Sequence, residues 1–175
     1  ENKGRILAKG WNLGIKESRA PFVIRPDAHS ILDSQYLKKG MDKISKSTSI
    51  AAVGGVISNK SFNFIGNLVS IVLSNPIGVG TSHFRIGLKE DMNTDTVVYG
   101  IYNKRIFDEI GFFNEELDRN QDIDFHKRID KSGYEMITSP DLKAYYYNRS
   151  TFKSFIKQAY NNGFWVGKGN GHFRH

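Results

Sequence analysis

Short runs of β-branched and aromatic residues alternate along this chain with longer stretches whose apolar residues recur at helical spacing. That alternation limits the fold more than any other feature. Residues 5–18 carry Ile6, Leu7, Leu13 and Ile15 among helix formers and stop before Ala20-Pro21, where proline restricts the residue ahead of it. Phe22-Val23-Ile24 then reads as a short buried strand that delivers Asp27 at its C-terminal end. Helical spacing returns over 34–44. A strand pattern follows over 49–57, with Gly54-Gly55 marking a bulge or a close backbone approach, and then a helix over 62–73. The Gly-, Ser-, Pro- and Asn-rich stretch 75–87 is expected to be a mobile loop of the kind that serves a site. After it come a strand at 96–102, a short helix at 105–110, a helix over 121–131 ended by Gly133, strands at 136–137 and 144–147, and a helix from 151 to about 162.

Strands alternating with helices predict an α/β fold with a mostly parallel sheet flanked by helices, whose ligands sit at the carboxyl ends of the strands. Neither an internal repeat nor a linker divides the chain, so residues 1–175 read as a single domain.

A net charge of +7 favours anionic partners without choosing among nucleic acid, nucleotide diphosphates and acidic membrane surfaces. With no cysteine, disulfides and thiolate metal sites are excluded, and a metal must use oxygen or imidazole ligands. The longest apolar stretch, 62–73, is broken by Asn63, Gly66, Asn67 and Ser70. It is shorter than the roughly 20 residues a bilayer-spanning helix needs. The start, Glu1-Asn2-Lys3-Gly4-Arg5, has no apolar signal-peptide core and is expected to be a cut inside a longer protein.

Two constellations carry chemistry. In Arg25-Pro26-Asp27-Ala28-His29, a carboxylate and an imidazole two residues apart leave a strand together and can share one divalent cation. The same spacing also fits an Asp that caps a turn beside a solvated His. In Asn120-Gln121-Asp122-Ile123-Asp124, acidic residues open a helix, where they complement its dipole. Alternatively, Asp122 aimed into a cleft is a general base. His126, one turn on, is expected at the surface, and His83 is expected as a solvated loop histidine unless it contacts a metal or acceptor. Among Tyr145, Tyr146 and Tyr147, the first and third share one strand face.

Five segments, in order, resemble family-2 glycosyltransferases, especially the succinoglycan-type enzymes of bacterial exopolysaccharide and capsule synthesis. They are NKGRILAKGWNLGI (2–15), FVIRPDAH (22–29), NPIGVGTSHFRIG (75–87), DTVVYGIYNKRIFDEIGFFNEEL (95–117) and RNQDIDFHKR (119–128). The resemblance implies a GT-A fold lacking its N-terminal nucleotide-binding strands. It also implies a nucleotide-sugar donor, by family a UDP-sugar, and a saccharide or lipid-linked acceptor. Asp27 and His29 fall on the family's D-x-D metal position, which implies Mn²⁺ or Mg²⁺; D-x-H also occurs around manganese in the polypeptide N-acetylgalactosaminyltransferases. Asp122 falls on the Asp of the family's E-D motif, the inverting base, with Gln121 in place of the Glu; Asp124 and Arg128 match structural positions after it. Asn12, Arg25, His83, Arg85, Asp95, Gln121 and Trp165 are the donor- or acceptor-binding candidates, Trp165 because Gln158 and Gly163-Phe164-Trp165 are similar to a Gln-and-Trp motif of processive relatives. Such an enzyme is expected at the cytoplasmic face of the membrane as a peripheral protein, with no nucleic-acid partner. An exposed sheet edge would favour a homo-oligomer. The alternatives are an inactive transferase-derived interaction module and a basic nucleic-acid-binding domain, against which the dispersed basic residues argue.

Overall fold

A computed structural model of the chain describes residues 6–28, 30–80, 82–117, 119–148 and 151–172, without the side chains of 162 and 165–172. Its elements run α1 (Leu7–Glu17), β1 (Phe22–Ile24), β2 (Ser30–Leu32), α2 (Tyr36–Ile44), β3 (Ile50–Lys60), α3 (Phe64–Leu73), α4 (Pro76–Val79), α5 (His83–Ile86), β4 (Met92–Asn93), β5 (Val98–Asn103), α6 (Arg105–Ile110), α7 (Gln121–Lys131), β6 (Glu135–Tyr147) and α8 (Phe152–His172).

One sheet has the order β1-β5-β3-β6-β2, with β4 also paired to β6. The long strands β3 and β6 form a parallel ladder, and β5 pairs antiparallel with both β3 and β1. Hence β1, β3 and β6, which hold most of the strand residues, run in one direction, and their C-terminal ends share one edge of the sheet. The shorter β2 and β4 lie antiparallel to β6. The expected mostly parallel sheet therefore holds for the bulk of the strand residues, while three strands run each way and β3–β6 is the one parallel ladder among the described residues. The sequence pattern shows neither β2 nor β4, because Ser30-Ile31-Leu32 and Met92-Asn93 lack the β-branched and aromatic run that marks the equally short β1.

The two faces of the sheet bury separate cores, as alternation along β5 illustrates: Tyr102 points into one and Ile101 into the other. The first packs α1, α6 and α7 through Phe107, Phe113 and Phe125; the rings of Phe107 and Phe125 stack at 4.6 Å. Full burial of each such ring contributes roughly 1.5–3 kcal/mol. The second core seats α2 through Tyr36 and Ile44 against Val53, Ile101 and Leu142.

The Gly54-Gly55 signal marks both features it predicts. The β3–β5 register shifts between Val53 and Gly55. A Cβ on Gly54 would stand 2.6 Å from the carbonyl oxygen of Val98, and one on Gly55 would collide with the carbonyl of Leu142. The two closing strands join into the single β6, which slips in register where Gly55↔Ser139 gives way to Val56↔Lys143. The stretch 75–87 is not a plain loop: Asn75 caps α4, with Pro76 in its first turn, and α5 follows.

Candidate active site

The end of β1 and the start of α7 meet at this edge. Arg25 follows β1 directly; its guanidinium lies 4.1 Å from the Trp11 ring and donates to Asp122 Oδ2 at 3.3 Å. Stacking on a ring contributed by α1 preorganises the guanidinium fork. Asp122 sits in the first turn of α7, entered through Asn120 in the left-handed conformation at φ 61°, and its Oδ1 accepts the Ile123 N–H at 2.9 Å. Asp27 lies two residues beyond Arg25, so their Cα atoms are within about 7 Å. Its backbone carbonyl accepts from the Ser30 N–H at 3.0 Å and the Ser30 hydroxyl at 2.7 Å, at the start of β2. His29 lies outside the described residues.

Tyr99 is a residue with an unusual backbone conformation that sequence reasoning missed. It has φ 49°, an uncommon conformation for a bulky residue in a strand, and its carbonyl is held by the Tyr36 hydroxyl at 3.0 Å. Burial, then the charge of Asp27, push its phenol up to about 12, with Ser30 and Arg85 acting the other way. Asp27 and Arg85 therefore both act on the Tyr99 phenol, in opposite directions. The only sequence signal is the bulge marked by the paired glycines on the adjacent strand.

His126 corrects the expectation of a surface residue: it is 1% exposed. One ring nitrogen, Nδ1, shares a hydrogen bond with the Thr96 hydroxyl at 2.8 Å, and Nε2 shares one with the Tyr102 hydroxyl at 2.8 Å. Burial drives its pKa down to about 4, with Asp122 opposing that shift and Arg25 adding to it. The imidazole is therefore neutral near pH 7. A helical repeat shows that residue 126 lies one turn from Asp122, but not that β5 supplies a hydroxyl to face it.

His83 and Asp95 line a cavity of about 330 Å³ with Ser82, Thr94 and Thr96. Because Thr96 also holds His126, this cavity is tied to the helix that carries Asp122. Arg85 lines a different cavity, of about 480 Å³, at the ends of β3 and β6.

Two binding candidates prove to be committed elsewhere. Asn12 is buried, donates to the Phe113 carbonyl at 2.8 Å and to Glu115 at 3.0 Å, and accepts the Phe113 N–H at 3.0 Å. It pins α1 to the segment after α6. Gln121 is buried and donates to the Leu117 carbonyl at 2.6 Å, holding the loop that enters α7. The side chain of Trp165 lies outside the described residues. Asp124 and Arg128 have the structural role expected of them: they pair at 3.0 Å, and Arg128 also donates to the carbonyls of Ile110, Gly111 and Phe112. Among the described residues, no three His, Asp or Glu side chains cluster into a metal site.

No family model matches the chain. It is 31% identical over 167 residues to the dolichyl N-acetyl-alpha-D-glucosaminyl phosphate 3-beta-D-2,3-diacetamido-2,3-dideoxy-beta-D-glucuronosyltransferase of Methanococcus voltae, a match covering 93% of this chain and 51% of that protein. The chain thus spans about half the length of the curated relative it matches. Among solved structures it is similar to GalNAc-T7 with UDP, GalNAc and Mn²⁺ (TM-score 0.60, 13% identity, 82% of this chain and 30% of that one). It is also similar to the mannosyltransferase PcManGT of Pyrobaculum calidifontis with GDP-Man and Mn²⁺ (TM-score 0.56, 14% identity, 83% of this chain and 37% of that one). The chain has the fold of the GT-A glycosyltransferases, and its sequence is similar to one glycosyltransferase across 93% of its length.

Proposed function

We propose that residues 1–175 are a partial catalytic domain of an inverting glycosyltransferase. It transfers a sugar from a nucleotide-diphosphate donor, a UDP-sugar by the family-2 resemblance, to a lipid-linked saccharide. What carries this reading is the Arg25–Asp122 ion pair at 3.3 Å, which ties the strand end bearing Asp27 to the helix start bearing the candidate base. Asp122 takes the acceptor hydroxyl's proton as that oxygen bonds to the anomeric carbon. The bond from that carbon to the donor's phosphate oxygen breaks, and the nucleotide diphosphate leaves from the opposite face with its electron pair, so the configuration inverts. Arg25 orients Asp122 for this step.

The hard carboxylate oxygens of Asp27, which accept no hydrogen bond among the described residues, suit a small divalent cation that draws its other ligands from water and substrate phosphates. Asp27, with His29, would hold Mn²⁺ or Mg²⁺; when bound, the cation neutralises charge on the diphosphate leaving group. The Mn²⁺ named with both structural neighbours supports that choice. The lipid-linked acceptor follows the name of the archaeal relative, and it suits a peripheral enzyme at the cytoplasmic membrane face. No helix among the described residues is long and apolar enough to cross a membrane. The succinoglycan-type resemblance supports a surface-polysaccharide product. The free side of β1, an edge strand among the described residues, offers a pairing surface for a second copy.

A screen of nucleotide sugars with and without Mn²⁺ tests the proposal. Metal-dependent binding of one donor, lost in Asp27→Ala, is the expected result; absence of metal-dependent binding by any nucleotide sugar overturns it.

A further inference from the structure

The cavity of about 480 Å³ at the ends of β3 and β6 is lined by Arg85, Lys143, Ser58, Asn59, Ser74 and Tyr145. Arg85 Nη1 is buried with no hydrogen-bond partner among the described residues. Burial holds this guanidinium below its usual pKa. A half-buried cation with an unused donor is costly to a fold unless an anion completes it. Lys143 is exposed beside it, and Lys60 lies 5.4 Å from the ring of Tyr145 on the cavity wall. Neither these two lysines nor Arg85 forms an ion pair with a carboxylate among the described residues. Two cations without counter-ions among the described residues, Arg85 and Lys143, therefore line one hollow, with Lys60 against the Tyr145 ring of its wall. The hydroxyls of Ser58 and Ser74 add donors suited to phosphate oxygens.

The surroundings say where such a phosphate comes from. Ser74 ends α3, whose ten residues from Phe64 to Leu73 include no charged side chain. Its Phe64 and Ile71 are 73% and 66% exposed, and Ile77 in α4 is 97% exposed. On α8, Phe152 and Ile156 are also exposed, with Lys153 and Lys157 interleaved in sequence. An uncharged helix with exposed apolar side chains beside unpaired cations is the composition of a surface that lies in a lipid headgroup layer. Free phosphate esters offer the cavity the same oxygens but give the apolar helix nothing to cover it.

We propose that the Arg85–Lys143 cavity binds the phosphate of a membrane lipid while the exposed apolar side chains of α3 rest in the bilayer interface. Such a lipid is the acceptor's own carrier, an interpretation that rests on the proposed transferase reading; the binding itself does not depend on it. Arg85 and Asp27 both act electrostatically on the buried Tyr99 phenol.

Flotation with vesicles in EDTA tests this without donor or metal. Phosphatidylcholine vesicles carrying polyprenyl monophosphate are expected to retain at least tenfold more protein than phosphatidylcholine alone. Arg85→Gln/Lys143→Gln should remove most of that difference, and Phe64→Ser/Ile71→Ser should reduce retention on both compositions. Lys143→Gln alone, at an exposed position, carries the test if the double variant does not fold. Equal retention by the charge variants and the wild type overturns the proposal. Binding of inorganic phosphate or a soluble sugar phosphate at low millimolar concentration, without selective vesicle retention, overturns the lipid assignment. Asp122→Asn is expected to float like the wild type, so loss of its transfer activity bears on the transferase reading alone.

Discussion

The guanidinium of Arg25 and the carboxylate of Asp122 meet at 3.3 Å although 97 residues separate them in the chain. Their side chains are 15% and 38% exposed. A pair this accessible stabilises a fold by about 0–1 kcal/mol, so its consequence is geometric. It fixes the direction in which a carboxylate at the head of α7 points, using a cation braced on Trp11.

Replacement of Asp122 by Asn keeps the shape and removes the base. Transfer by the whole protein should fall by roughly 10²–10⁴-fold. Arg25→Gln leaves the base but frees its orientation, and a loss of about 10- to 100-fold in kcat is expected. Steady-state kinetics beside thermal melting check both; unaltered turnover in Asp122→Asn would remove the base from the mechanism.

Asp27→Ala should abolish the increment in donor affinity that Mn²⁺ supplies, and EDTA should do the same to the wild type. Calorimetric titration of the nucleotide sugar in both conditions measures this. Equal affinities with and without metal would separate Asp27 from any cation.

His126 predicts a specific pH dependence. Its folded pKa, about 4, lies below the ordinary value of 6.5 because burial disfavours the charged ring. Between those values the unfolded chain binds the extra proton, so stability falls as pH drops from 6.5 to about 4 and the loss is complete below that range. The expected contribution is on the order of 3 kcal/mol. His126→Asn should lose roughly 1–3 kcal/mol at pH 7 through its unpaired hydroxyl neighbours, and it should flatten that part of the acid slope. Urea denaturation at several pH values reads both effects.

Gly55→Ala places a methyl group against the Leu142 backbone, where no side chain can turn aside. Destabilisation of about 1–3 kcal/mol or more is expected, seen as a lower urea midpoint at unchanged slope. A neutral result would mean that the β3–β6 slip can relax.

Arg128→Lys keeps the charge and the pairing distance to Asp124 but cannot serve the carbonyls of Ile110, Gly111 and Phe112 together. A loss of about 1.5–3 kcal/mol is expected, close to that of Arg128→Ala. Full rescue by lysine would show that charge alone is needed.

Much of the architecture was legible because it is local. Apolar residues at helical spacing located α1, α2, α3, α6, α7 and the start of α8, and β-branched runs located β1, β3 and β5. In sequence, the interruption inside β6 reads as a gap between two strands. A proline and a register slip look alike in sequence whether or not the ladder resumes beyond them. Asn12 and Gln121 resembled ligand contacts because a polar side chain in a motif carries no record of its partner. Their amides proved to be bound to the backbone of Phe113 and Leu117.

By itself, the sequence determined the order of elements, the placement of Asp27 at a strand end and Asp122 at a helix start, and the demand for a close approach at Gly54-Gly55. All of these follow from side-chain period, backbone sterics and charge over a few residues. Only the tertiary structure decided that Arg25 grips Asp122, that His126 is enclosed between Thr96 and Tyr102, and that Arg85 and Lys143 line one hollow. Each depends on which strands become neighbours, and that is settled by burying both faces of the sheet at once.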